Sequence, residues 1–181
     1  KEWLESMVVQ NEDNPEQVIE LMDAWESSIA NPRNRRHELM TRIRGIEDTA
    51  SEQGLTGLFI TITSPSAYHP HAGAKFNGST PSQVQAYLNK VWQQIRAKLG
   101  HLDVKLVGVR VAEPHQDATP HWHLLVFIAP EHLKTVQQVV SYYATKANIA
   151  ELLSKKQVPA EHLVEFERIN QYYNRGQGDA T

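Results

Sequence analysis

Pro120-His121-Trp122-His123-Leu124-Leu125-Val126-Phe127-Ile128 reads as a β-strand: an alternating start followed by an unbroken apolar run. Successive side chains of a strand point to opposite faces, so His121 and His123 stand side by side while Trp122 turns into packing. Upstream, Lys105 to Glu113 is rich in β-branched residues (Val107, Val109, Val111), and the polar, proline-bounded stretch Pro114 to Pro120 reads as a connecting loop. The two strands form an antiparallel hairpin. If its loop closes symmetrically, Glu113 falls opposite His121 and Val111 opposite His123, and cross-strand partners share a face. A carboxylate then joins two imidazoles. That set suits Mg²⁺, Mn²⁺ or Zn²⁺ with positions left open for substrate oxygens. A lone His-x-His is common and a strand-end Glu is often simply solvated, so the coincidence of all three residues is what gives the pattern weight.

Working outward, Gly57 to Thr63 is a second strong strand, closed by Ser64 and Pro65. Thr80 and Pro81 open a helix reaching about Leu99, with Val84, Tyr87, Leu88, Val91, Trp92 and Ile95 as its apolar stripe. The intervening Ser66 to Pro81 lacks apolar periodicity and reads as a long surface loop, a common home for function. Within it Tyr68, Lys75 and Phe76 offer stacking and charge, the ingredients of single-strand binding, while His69 and His71 are expected to face DNA or solvent. In the hairpin loop His115 is a candidate substrate contact or substitute ligand. After the hairpin, Glu131 to Leu153 reads as a helix and Leu163 to Ile169 as a further strand. Before it, helices are expected over Pro15–Ile29, capped by Asn14, and over Pro32–Glu52, ending near Gly54 with Leu39, Ile43 and Ile46 on the buried side.

This order of elements suits an α+β architecture, a central antiparallel sheet with helices packed on one side and an N-terminal helical extension. Residues 1–53 would form that helical region and 54–181 the sheet domain. The hairpin strands are expected at the sheet's centre, with the three candidate ligands facing away from the helices.

At 181 residues the chain is long enough for one well-packed domain. It contains no cysteine, which excludes disulfides, cysteine nucleophiles and thiolate metal sites. No apolar run is long enough for a membrane span and no signal peptide is visible, so a soluble, cytoplasmic protein without membrane partners is expected. The formal net charge of −3 gives no overall basic footprint for nucleic acid, although basic residues cluster at Arg33–Arg44, Lys90–Lys98 and Lys155–Lys156. Contact with a few phosphates needs only a local patch.

Several blocks in order resemble the His-hydrophobic-His (HUH) endonucleases and, more closely, the phage replication gene A protein family of rolling-circle initiators. They are Gly57 to Thr63 with Pro65, Tyr68 and His69; Asn77, Gly78, Thr80 and Pro81; the helix with Tyr87, Leu88, Val91, Trp92, Arg96 and Leu99; and Arg110 to His115 with Thr119 to His123. The resemblance implies a metal-dependent nickase that cleaves single-stranded DNA at a replication origin through a 5′-phosphotyrosine link, in a bacterial or phage-infected cell. It implies Glu113, His121 and His123 as ligands of Mg²⁺ or Mn²⁺, and a host replication helicase as a further partner.

The family's tyrosine block, a Tyr, three residues, a second Tyr and a Lys, has no counterpart here. Tyr142 and Tyr143 fall on the preceding helix and read as packing residues. Tyr172 and Tyr173 follow the last strand and are the in-chain alternatives. The nucleophilic tyrosine is expected after Thr181, because Gly176 to Thr181 resembles what precedes the family's tyrosine helix. The alternatives are a noncatalytic single-stranded nucleic-acid-binding domain and a metal hydrolase that activates water.

Overall fold

The computed structural model describes residues 2–71, 76–146 and 163–169, and the chain packs as two units, Lys1–Gly45 and Ile46–Thr181. In the first unit α1 (Glu2–Glu5) precedes an antiparallel ribbon of β1 (Val8–Gln10) and β2 (Val18–Glu20), followed by α2 (Leu21–Ser27) and the greater part of α3 (Pro32–Glu52). The helix expected over Pro15–Ile29 is therefore shorter and starts later. Val18 and Ile19, β-branched and favoured in strands, pair with Gln10 and Val9. Asn14 makes a turn instead of a cap: its side chain accepts from the Glu16 N–H at 3.3 Å and its carbonyl from the Gln17 N–H at 2.9 Å.

α3 occupies its expected span and ends at Gly54, whose φ of +67° supplies the left-handed closing turn, with the Leu55 N–H donating to the Ala50 carbonyl at 2.9 Å. Its expected buried side is only partly covered. Ile43 and Ile46 are half-buried and Ala50 is buried, but Leu39 is 40% exposed. Polar and charged residues occupy most positions around Leu39, and so narrow an apolar stripe gathers little cover.

The second unit is built from β3 (Thr56–Ile62), α4 (Pro81–His101), β4 (Val107–Pro114), β5 (Pro120–Ile128), α5 (Leu133–Thr145) and β6 (Val164–Ile169). The four strands form one antiparallel sheet in the order β4-β5-β3-β6. This α+β sheet places β5 and β3 at the centre and β4 at the edge, correcting the expectation that both hairpin strands are central. The compositions explain the difference: β5 runs apolar on both faces from Leu124 to Ile128, whereas β4 is almost entirely exposed and carries Gly108 and Arg110, features an edge tolerates.

One face of the sheet, with Leu58, Ile60 and Ile62 of β3 and Trp122, Leu124, Val126 and Ile128 of β5, packs on Leu88, Val91, Ile95 and Leu99 of α4 and Val136 and Val140 of α5. α4 is started by a reciprocal capping box between Thr80 and Gln83, with Pro81 in its first turn. Of the helix expected over Glu131–Leu153, a 3₁₀ turn at Pro130–His132 and α5 are seen, and residues 147–153 lie outside the described residues. Hairpin symmetry gives the expected register: Glu113 pairs with His121 and Val111 with His123.

Candidate metal centre

Alternation along β5 buries Trp122 completely on the helix side and sends His121 and His123 to the other face, where Glu113 arrives from the end of β4. One ligand atom from each of the three lies within 4.8 Å of the others. His123 Nε2 stands 2.8 Å from His121 Nε2 and 3.2 Å from a Glu113 carboxylate oxygen. Two imidazole nitrogens that close either share a proton or direct both lone pairs at one cation. The Glu113 side chain is 60% exposed, so the cluster opens to solvent at its carboxylate end. Three such donors with an open side fit a hard or borderline divalent ion.

His123 is held from two directions. The Phe59 ring stacks on it with centroids 5.4 Å apart, and Thr61, directly opposite on β3, places its hydroxyl oxygen 3.1 Å from Nδ1. When Nδ1–H donates to that oxygen, Nε2 keeps its lone pair toward Glu113 and His121. His121 is biased toward its neutral form: burial lowers its proton affinity first, the neighbouring His115 and His123 lower it further, and Glu113 opposes them. A neutral imidazole is the form that binds metal. On the helix side the Trp122 indole N–H donates to the Gln85 side-chain oxygen at 2.9 Å, locking the strand that aims the two histidines.

A second layer comes from the loops. The His115 ring lies 4.0 Å from that of His121, and His69 meets His115 edge-on at 5.3 Å. His69 Nδ1–H donates to Asp117 at 3.0 Å, and His69 Nε2 lies 3.2 Å from the Ser64 hydroxyl oxygen and 3.3 Å from the Ser64 carbonyl oxygen. Asp117 also accepts from the Thr119 N–H at 3.0 Å. Burial alone would push its carboxyl up, but hydrogen bonds from Thr119 and His69, with the His69 charge, outweigh that and bring it down to about 2. The Ser64–His69–Asp117 order is that of a hydrolytic triad. Ser64 is only 1% exposed, however, so the row clamps loop to sheet and offers no reachable nucleophile. Next to it, His115 Nε2 and His121 Nδ1 are buried without a partner among the described residues.

The structure thus brings together Glu113, His121 and His123, sets His115 against them, and turns His69 inward where the loop's polarity suggests outward. Tyr68 stacks on Tyr87 at 4.9 Å, and the buried Tyr87 hydroxyl is pushed up to about 12 by burial and by Tyr68. His71 is exposed. Lys75, Tyr172 and Tyr173 lie outside the described residues. Tyr142 and Tyr143 pack against each other on α5. Sequence reasoning missed Phe59, Thr61, Ser64 and Asp117. Asp117-Ala118-Thr119 does carry the signature of a side-chain-closed turn, and Thr61 could have been found from the β3–β5 register alone.

Comparison with known proteins adds an independent finding. The family model for bacteriophage replication gene A protein (GPA) matches residues 1–177. The "Replication protein" of Haemophilus phage HP1 is 42% identical over 181 residues, which is 99% of this chain and 22% of that protein. "Probable replication protein P12" of Pseudoalteromonas phage PM2 is 46% identical over 144 residues, 80% of this chain and 22% of that protein. A "Probable replication endonuclease from prophage-like region" of Salmonella typhimurium is 31% identical over 156 residues, 83% of this chain and 19% of that protein. The chain therefore spans about a fifth of the length of these curated relatives. No solved structure matches.

Proposed function

The chain belongs to the bacteriophage replication gene A protein family, and we propose that it carries the metal-binding half of a site-specific single-stranded DNA nicking centre that starts rolling-circle replication. The observation that carries this reading is the convergence of Glu113, His121 and His123 on one open face of the sheet. The endonuclease name printed for the Salmonella relative supports the reaction class.

Glu113, His121 and His123 would hold Mg²⁺ or Mn²⁺, and the bound ion supplies Lewis-acid polarisation of a nonbridging phosphate oxygen. The remaining work falls to this chain's own groups. Thr61 and Phe59 aim His123; burial beside His115 favours the neutral form of His121; the exposed side of Glu113 leaves room for a phosphodiester. The Asp117–His69–Ser64 clamp holds the hairpin loop, and with it His115, beside the two histidines. The nucleophilic tyrosine comes from outside the described residues, on a helix after Thr181, with Tyr172 and Tyr173 as the in-chain alternatives.

The test incubates an origin single strand and Mn²⁺ with this chain and with a form extended at its C-terminal end by about fifty residues, and looks for a protein–DNA adduct that survives denaturant. An adduct with the extended form alone, lost in His121→Ala, supports the reading. An adduct with this chain, abolished by Tyr172→Phe or Tyr173→Phe, moves the nucleophile into the chain. Binding without any adduct in either form leaves a noncatalytic single-strand-binding domain and removes the nickase.

A further inference from the structure

On the sheet's other side, a cleft of about 830 Å³ opens between α4 and the edge strand β4. That volume is within the range of sites that hold small ligands. Its charged lining residues are Arg96, Lys105 and Arg110, with no carboxylate among them, in a chain whose formal net charge is −3. Among the described residues neither arginine enters an ion pair. Burial, and then the proximity of Arg96, make the Arg110 guanidinium harder to keep charged, and an anion arriving between them would offset their repulsion.

The cleft also offers an aromatic ring and an amide, since half-buried Trp92 and Asn89 line it. Arg110 is pre-positioned. Its guanidinium lies 3.8 Å from the centroid of the Trp122 ring, whose indole is fully buried and anchored to Gln85. Stacking in this way fixes the guanidinium plane and leaves its edge N–H groups free to meet a phosphate. Gly108 lets β4 lie close against β5 beneath the cleft, because a Cβ there would lie 2.0 Å from the Leu125 carbonyl oxygen.

We infer that this cleft is a second binding site for single-stranded DNA, taking a phosphate between Arg96 and Arg110 and a base against Trp92. A strand fits better than a free nucleotide. The cleft runs along an exposed edge, and Arg110 sits three residues from Glu113 on β4, roughly 10 Å away and on the opposite face. DNA rounding that edge would meet the cleft and the candidate metal centre in succession. The tripeptide His121-Trp122-His123 serves both faces, its histidines for the metal centre and its tryptophan as the seat of Arg110. The inference rests on the proposed function for its ligand, but not on metal.

The experiment measures fluorescence anisotropy of a labelled oligo(dT) strand with the whole chain, without metal, across a salt series, and Mn²⁺ binding separately. Arg96→Gln and Arg110→Gln are each expected to weaken strand binding by roughly five- to tenfold and to reduce the log–log salt slope by about 0.7 for each phosphate no longer neutralised. Both should leave Mn²⁺ binding unchanged, as should Lys90→Gln, which lies outside the cleft and should leave strand binding unchanged too. His121→Ala should abolish Mn²⁺ binding. Because Arg110 packs on Trp122, Arg96 on the exposed side of α4 keeps the test clear of folding effects. Wild-type affinity and slope in both arginine variants would overturn the cleft, as would a chain that binds no single strand at all. Arginine-dependent strand binding by a chain that binds no Mn²⁺ would support the cleft while overturning the metal centre.

Discussion

Thr61→Val is expected to weaken divalent-metal binding about tenfold while leaving the fold intact. The Thr61 hydroxyl is 3.1 Å from His123 Nδ1 and, by accepting from Nδ1–H, would hold the ring in the tautomer whose Nε2 lone pair faces Glu113 and His121. A neutral hydrogen bond contributes about 1 kcal/mol net, and groups that orient a metal-binding histidine typically account for roughly 10- to 100-fold in affinity. Phe59 still stacks on the ring at 5.4 Å in the variant, so orientation is only partly lost and the effect belongs at the lower end. Valine has the shape of threonine and suits a central strand, so the stability cost should stay below about 1 kcal/mol. Thr61→Ser keeps the hydroxyl and should restore binding. Calorimetric titration with Mn²⁺ at neutral pH reads all three proteins. Equal affinities for wild type and Thr61→Val would refute the tautomer argument, and an unaffected His123→Ala would remove His123 from the ligand set altogether.

Two further expectations concern the fold that supports the site. Ile60, 0% exposed on the central strand β3, should cost about 3–4 kcal/mol when cut to alanine; a loss under about 1 kcal/mol in urea denaturation would show that the site's scaffold is not packed as described. The Asp117 carboxyl lies at about 2 against an ordinary 3.8. Its contribution is therefore fully present above pH 3.8 and lost as the pH falls toward about 2, worth about 1 kcal/mol after solvent screening. Asp117→Asn should flatten that acid limb of the stability curve, and an unchanged limb would place the ionic anchor of the hairpin loop elsewhere.

The hairpin was legible because each of its signals was local: alternation, β-branching and a symmetric loop together determine that Glu113 meets His121. α4 was legible for the same reason, with Thr80, Pro81 and a regular apolar stripe agreeing. The ribbon at Val8–Gln10 and Val18–Glu20 was not, since Val18, Ile19, Leu21 and Met22 satisfy a helical pattern as readily as a strand running into a helix, and strand pairing decides between them. Strand order also depends on distant residues: the pairing of β6 with β3 leaves β4 at the edge. In the site, the ligand types could be read from spacing, but Ser64, His69 and Asp117 are 48 residues apart at their widest hydrogen bond and meet only after folding. The stacking of Arg110 on Trp122 was hidden likewise, because it needs the register of two strands to place the pair on one face.

The position of β4 at the margin of the sheet has a kinetic consequence. Its Glu113 belongs to a strand paired on one side, whereas His121 and His123 belong to one paired on both. Strand ends at a margin open locally far more often than interior strands. A cation held by all three would thus release its carboxylate first, and the lifetime of the bound ion would follow the opening rate of the Pro114 end of β4. Amide exchange at Val111 and Glu113 should slow when Mn²⁺ is added, while the β5 amides, already protected, change little. Strand order would then govern how fast the ion is exchanged, with the histidine pair staying in place throughout.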